Sequence, residues 1–271
     1  MSRPQPAPLT AGNTRVREAR KLSRRSARTE RRRFLADGPK AVEGAVEAGC
    51  VVEVFATPEA LEQYAGLVAA TTRLSARVSL VDDRALASLS DSVSPAGIVA
   101  TCSLLDVPLA DALSAGEQRL AVLCADVRDP GNAGTLVRTA DAMGADAVVL
   151  AGHSVDPYNP KTVRASVGSL FHLPLALAPD PAAAVAAARA AGYTVLAADG
   201  GGEVSLDDAG GLLVGRVAWL FGNEARGLPA DLAALADHRV AIPVPGRAES
   251  LNLATAAAIC LHETARAHRA R

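Results

Sequence analysis

The sequence predicts a two-domain α/β protein whose larger domain is a mostly parallel sheet covered by helices on both faces. Three observations point there. With 271 residues and a hydrophobic fraction of 49%, the chain is long enough for two domains of roughly 100 to 150 residues, each with its own core. After residue 119, apolar runs of strand length alternate with segments of helical periodicity. Such alternation needs crossover connections and therefore parallel strands. Before residue 105, a shorter set of helices and strands forms a second, smaller α/β pattern.

In chain order, residues 1–30 are polar, basic and Pro-punctuated, and read as a flexible arm whose first dozen residues are disordered and whose remainder is helical. A small domain spans 31–104. Ala41, Val42, Ala45 and Val46 recur at helical spacing, Gly49 stands as a C-cap, and "VVEVFAT" alternates as a strand. A helix over 59–70, a strand at "RVSLV", a short helix over 83–90 and a strand at the end of "DSVSPAGIVATC" complete it. "LDVPLADALSAGEQ" (105–118) reads as a linker to a domain over 119–271. There the pattern predicts strands at 120–127, 146–151, 172–177, 193–198, 216–221 and 239–243. Helices are predicted at 132–143, 160–169, 181–191 and 251–268. In such a sheet, ligands gather at the carboxyl ends of the strands.

The net charge of −1 hides an asymmetry. Residues 1–33 hold eleven Lys/Arg against Glu18 and Glu30, a surplus of nine positive charges, which leaves −10 for the rest. A basic arm on an acidic body implies a polyanionic partner, with nucleic acid the first candidate, or else a solvated tail. Aromatics make up only 3% of the chain, so any base-stacking platform uses few residues. The four cysteines are widely spaced, with no CxxC and no signal-peptide apolar region before them, as expected of reduced, buried thiols in the cytoplasm. The five histidines show no metal-ligand spacing, so no metal site is expected. No apolar run reaches the roughly 20 residues that span a membrane.

Three turns at strand ends carry the chemistry: "DPGNAGTLVRTADAMGA" (129–145), "LFGNEARGLP" (220–229) and "IPVPGRAESLNLATAAAICLHE" (242–263). The first looks like a nucleotide cradle but fails that test. It offers Gly131-x-x-Gly134 rather than GxGxxG, and Gly152 and His153 stand where a ribose-binding acid belongs. Residue chemistry leaves two roles open at most positions. Asn132 is an N-cap or first-turn residue, or a contact to substrate. Arg138 is a surface ion pair or a bidentate phosphate ligand. Glu224 is a first-turn acid, or a carboxylate holding Arg138 or the ligand. Ser250 caps the last helix, and with Asn252 presents a hydroxyl and an amide.

Taken together, in this order and near these separations, the three segments resemble the motifs of the SpoU/TrmH family of RNA 2′-O-ribose methyltransferases, within the SPOUT superfamily. The resemblance covers about residues 120–265. It rests on Asn132 and Arg138, on Gly222, Asn223, Glu224 and Gly227, and on Ser250, Leu251 and Asn252. "FLADGPKAVEGAVEAG" with "SDSVSPAGIVA" more loosely resembles the RNA-binding substrate domain often fused ahead of the catalytic one, itself similar to a ribosomal protein.

The resemblance implies a C-terminal trefoil knot, which no periodicity argument would propose. It implies S-adenosylmethionine (AdoMet) bound by Gly222, Ile242 and Leu251, with Leu220, Asn223, Gly227 and Val244 as close neighbours. Asn132, Arg138, Glu224, Ser250 and Asn252 become the catalytic set. Arg31, Arg32, Arg33 and Lys40 become RNA contacts, with Arg164 of the family-like segment "PKTVRASVGSLFHLPL" near the RNA or the cofactor. The family's arginine is a proposed general base, but a guanidinium is effectively always protonated, so orienting the ribose suits Arg138 better. The implied protein is a cytoplasmic homodimer acting on RNA, foremost 23S rRNA. Alternatives are a tRNA enzyme, a resistance methylase and a catalytically silent RNA-binding module.

Overall fold

A computed structural model describes residues 7–114 and 120–270. The chain forms two compact units, Met1–Leu105 with Tyr158–His172, and Asp106–Pro157 with Leu173–Arg271. The segment 158–172, expected inside the larger domain, therefore belongs to the first unit. Aromatic packing accounts for this: the Tyr158 and Phe171 rings lie 4.7 and 5.9 Å from that of the fully buried Phe34.

The first unit is built on strands β1 (Arg33–Asp37), β2 (Val51–Ala56), β3 (Arg77–Leu80) and β4 (Ile98–Ser103), in the order β1-β4-β2-β3. Pairing is antiparallel except between β2 and β3. β1 has no counterpart in the sequence reading, because Phe34, Leu35 and Ala36 are all buried and leave no alternation to detect. The helix expected over 59–70 is two, Pro58–Gln63 and Ala65–Arg73, broken at Tyr64.

The basic arm differs most from expectation. Helix Thr14–Arg20 carries Val16 and Ala19, and the short 3-10 turn Lys21–Ser23 carries Leu22, into a core with Leu35, Phe55, Val81 and Leu86, while helix Arg25–Arg31 buries Arg28. Leu9 bridges Val81. The arm is thus part of the fold rather than a flexible tail. The cause is a three-residue spacing of small apolar side chains that the surrounding charge conceals. Of the dozen residues expected to be disordered, 1–6 lie outside the described residues.

The second unit holds β5 (Leu120–Ala125), β6 (Ala147–Ala151), β7 (Leu175–Ala178), β8 (Thr194–Ala198), β9 (Val204–Ser205), β10 (Val217–Phe221) and β11 (His238–Ala241). All are parallel, in the order β7-β6-β5-β10-β8-β11-β9. β5, β6 and β10 are buried along their whole length, as a sheet covered on both faces requires. Helix Pro181–Ala190 covers one face. Helices Pro130–Ala142 and Leu253–Arg269 pack against each other, and the latter also packs on β10, where Trp219 Nε1–H donates to Thr264 Oγ1 at 2.9 Å. Residues 105–118, expected as a linker, include helix Leu109–Ala112, with Ala112 and Leu113 buried in the same core and Val107 bridging Ala176. Positions 115–118 lie outside the described residues. Because β5, β10, β8 and β11 are neighbours, the three motif turns that follow β5, β10 and β11 share one edge of the sheet.

Candidate cofactor cleft and polar hub

The turn after β10 is shaped by two glycines. A Cβ on Gly222 would lie 2.4 Å from the Gly227 carbonyl carbon, and Gly227 has φ +66°. Neither position accepts an L side chain without displacement. Their approach closes a narrow loop in which the Asn223 and Gly227 backbones exchange hydrogen bonds of 3.0 and 2.8 Å. The Asn223 carboxamide accepts from Ala225 N–H and Arg226 N–H, and donates to Asp126 O at 2.8 Å. Asp126 has φ +55° and accepts from His153 N–H. A Cβ on Gly152 would sit 2.6 Å from the Asp126 carboxylate, so the glycine that ends β6 is what admits this side chain.

Glu224 is the hub. Its Oε1 accepts from Asp129 N–H at 3.0 Å and Asn132 Nδ2 at 3.4 Å, and its Oε2 from Arg128 N–H at 3.3 Å and Asn223 Nδ2 at 3.4 Å. Asn252 Nδ2 donates to Asn132 Oδ1 at 3.0 Å. One carboxylate and two carboxamides thereby join all three motifs. Of the two local positions open to Asn132 the structure gives the first-turn one, and the cap of the last helix moves from Ser250 to Asn252. Asp129, not Asn132, caps helix Pro130–Ala142 through Asn132 N–H at 2.7 Å. Asn252, not Ser250, caps helix Leu253–Arg269 through Ala254 N–H and Thr255 N–H. The side chains of Asn132 and Ser250 are thus not spent on capping. Glu224 lies in a turn, not a helical first turn, and holds backbone amides rather than Arg138.

Beside the hub opens a cleft of about 260 Å³. Gly222, Asn223, Gly227, Ile242, Val244, Leu251 and Ser250 line it, as do Glu224 and, beyond the residues expected, Phe221, Asp199, Gly200 and Glu249. Leu220 does not; its side chain is 1% exposed in the core, and Phe221 takes its place on the wall. Asp199 and Gly200 follow β8 directly, so the rule of strand carboxyl ends could have found them. Asp126 and Asp129 act by accepting backbone N–H groups at their carboxylates, from His153 and Asn132; Asp129 is a capping residue type, whereas Asp126 carried no signal. The cleft combines an apolar wall for a flat heterocycle, close backbone, and carboxylates facing a cationic group, a donor set that fits AdoMet.

Arg138 stands apart. It is exposed in helix Pro130–Ala142 and makes no hydrogen bond or ion pair among the described residues. Six residues at about 100° each put it roughly 120° around the helix from Asn132. Among the cysteines, burial pushes Cys260 up to about 12. Cys124, at the end of β5, is raised by burial and then by the Glu224 charge. Both are therefore thiols at neutral pH, not nucleophiles.

The expected RNA contacts lie in the first unit. Arg31 pairs with Glu18, Lys40 with Glu43 at 2.7 Å, and Arg164 with Asp91 at 3.3 Å, while Arg32 and Arg33 are exposed. Lys40 and Arg164 share a pocket of about 220 Å³.

Residues 119–262 match the SpoU rRNA Methylase family, and residues 13–100 match the MRM3-like substrate binding domain. A 23S rRNA (uridine(2479)-2′-O)-methyltransferase of Streptomyces viridochromogenes is 33% identical over 95% of this chain and 91% of its own. A 23S rRNA (guanosine(2553)-2′-O)-methyltransferase of Bacillus subtilis (strain 168) is 32% identical over 93% of this chain and 96% of its own. Among solved structures, the SpoU methyltransferase AviRb from Streptomyces viridochromogenes in complex with the cofactor AdoMet superposes with a TM-score of 0.84 at 33% identity, covering 96% of this chain and all of that one. An AdoMet-bound rRNA methyltransferase from Sinorhizobium meliloti gives 0.82 at 34% identity, covering 96% and 97%. The chain belongs to the SpoU rRNA methylase family, with a substrate-binding domain ahead of the methylase domain.

Proposed function

We propose that the protein is an AdoMet-dependent 2′-O-ribose methyltransferase acting on 23S rRNA. The observation that carries this is the hub: Glu224, Asn132 and Asn252 tie three separate turns around one cleft, and all three side chains come from the family's motifs. Bound AdoMet supplies a methyl group already activated as a sulfonium, so what remains for the protein is positioning. Gly222, Ile242 and Leu251 hold the cofactor, with Asn223, Gly227 and Val244 beside them. Glu224 fixes the Arg128 and Asp129 amides and the Asn132 amide. Asn132, Asn252 and Ser250 then face the ribose from a rigid frame. The Arg138 guanidinium grips the adjacent phosphate and stabilises charge developing at the ribose oxygen, without itself taking the proton.

We also propose that the protein is a homodimer, as the family resemblance implies; the exposure of Arg138 on a different helix face from Asn132 supports this. A second copy brings the partner's Arg138 toward the cleft, and the exposed face of helix Pro130–Ala142 is part of that contact. We also assign to the chain the trefoil knot of its family, supported by β10 lying between β5 and β8 and by the last helix returning to pack on helix Pro130–Ala142. The first unit contributes sequence-independent affinity through Arg32, Arg33, Lys40 and Arg164, with Arg31 partly engaged by Glu18. We place the protein in the cytoplasm because its proposed substrate is ribosomal RNA. Separately, among the described residues no helix is long and apolar enough to cross a membrane.

The test uses purified protein, methyl-labelled AdoMet, and total RNA from cells lacking the gene. Label is expected in 23S rRNA as an alkali-resistant dinucleotide, the mark of a blocked 2′-hydroxyl. Label in tRNA would move the substrate. AdoMet binding without label in any RNA would favour a silent module.

A further inference from the structure

The wall of the cleft and its surroundings carry opposite charge. Asp199, Glu224 and Glu249 line the cleft, and among the described residues no Lys, Arg or His does. The three carboxylates differ in their partners. Glu224 accepts N–H donors at both oxygens. Asp199 accepts from Gly201 N–H at 2.9 Å and lies 3.6 Å from Arg239, which Glu203 holds at 3.0 Å. Glu249 is exposed and makes no hydrogen bond or ion pair among the described residues. Arg226 and Arg247, on the same two loops, are exposed but do not line the cleft.

We infer that Glu249 strengthens the charge preference of the cleft, favouring the cationic methyl donor over its neutral demethylated product. The inference rests on the cofactor reading above. AdoMet carries a sulfonium, an ammonium and a carboxylate, so its net charge is positive. On transfer, the bond from sulfur to the methyl carbon breaks with its electron pair staying on sulfur. A new bond forms from the ribose oxygen to the methyl carbon, and the hydroxyl proton leaves to solvent. The remaining S-adenosylhomocysteine is a thioether with no net charge. A fixed carboxylate in the wall attracts the first ligand and is indifferent to the second. Glu224 keeps its charge, since its donors are neutral amides, but it is tied into the hub, and Asp199 is shared with Arg239; Glu249 is therefore the unopposed carboxylate whose charge can be removed without disturbing the frame. At a few ångströms and near-aqueous dielectric, one such charge is worth about threefold to tenfold in affinity. The preference lets donor displace spent product between turnovers.

The test measures calorimetric affinities for AdoMet and S-adenosylhomocysteine with the wild type, Glu249→Gln and Glu249→Lys, each at low and high salt. Glu249→Gln is expected to weaken AdoMet about threefold to tenfold and leave the product within about twofold. Glu249→Lys should lower the ratio further, and the wild-type ratio should shrink as salt rises. Equal loss for both ligands, or no loss for AdoMet, overturns the inference while leaving the cofactor reading intact. A wild type that binds neither ligand overturns both.

Discussion

The arginines of the N-terminal segment and those around the cleft are used differently, although only the first group stands out in the sequence. In the segment, Arg28 is 3% exposed and donates to Leu22 O and Ser23 O, each at 2.9 Å. Arg15 is held by Glu53 and Ser79, and Arg31 and Lys21 by Glu18, whose carboxyl those two cations hold below its ordinary value, Lys21 foremost. A share of the nine-charge surplus is therefore built into the fold, leaving Arg17, Arg20, Arg24, Arg25 and Arg33 exposed with no side-chain hydrogen bond or ion pair among the described residues. In the second unit, Arg138 on its helix and Arg226 and Arg247 on the loops of the cleft are few, but none of their side chains is committed to a partner among the described residues. Density of charge along a chain thus overstates what is free to meet RNA, and isolated arginines in an acidic unit can matter more.

Removing the whole arm would confound these roles, because helices Thr14–Arg20 and Arg25–Arg31 contribute to the core. Single substitutions separate them. The largest effect is expected at the hub: Glu224→Ala disconnects four donors and should cut methyl transfer at least about 100-fold, comparable with removal of a positioning group. It should also lower the thermal midpoint, and turnover measured beside AdoMet affinity checks it. Next, Arg28→Ala should cost about 2 to 3 kcal/mol in a denaturant titration, since the buried Leu22 carbonyl and the part-buried Ser23 carbonyl are deprived of a charged donor. It should leave the salt dependence of RNA binding by the folded protein unchanged. Smallest in energy, the triple substitution of Arg20, Arg24 and Arg25 by Ala should leave stability unchanged while flattening the salt slope, by about 0.7 to 0.9 for each phosphate no longer neutralised. An unaltered slope in the triple variant combined with a changed slope for Arg28→Ala would reverse the comparison.

The large unit was legible because its strands are continuous apolar runs separated by helices of ordinary length, and because Asn132, Glu224 and Asn252 are side chains of distinctive type at family spacing. β1 and the arm were not legible. Phe34, Leu35 and Ala36 are buried together and erase the period of two, and Val16, Ala19 and Leu22 are diluted by charge. The caps could not be assigned from sequence because Asp129 and Asn132, like Ser250 and Asn252, are all competent capping types within a few residues of a helix start. Only the hydrogen bonds show which residue serves. The transfer of 158–172 to the first unit depends on three aromatic rings meeting, a tertiary event with no local signature.

Arg138 is the most exacting position to probe, being exposed, without a partner among the described residues, and central to the chemistry proposed for the cleft. Arg138→Ala should be measured for AdoMet affinity by calorimetry and for methyl transfer to 23S rRNA in the same preparation. The expected result is unchanged affinity with transfer reduced at least about 100-fold, the effect of deleting one transition-state interaction. Weakened AdoMet affinity with methyl transfer retained at saturating AdoMet would contradict the assignment and place the first motif on the cofactor instead of the RNA.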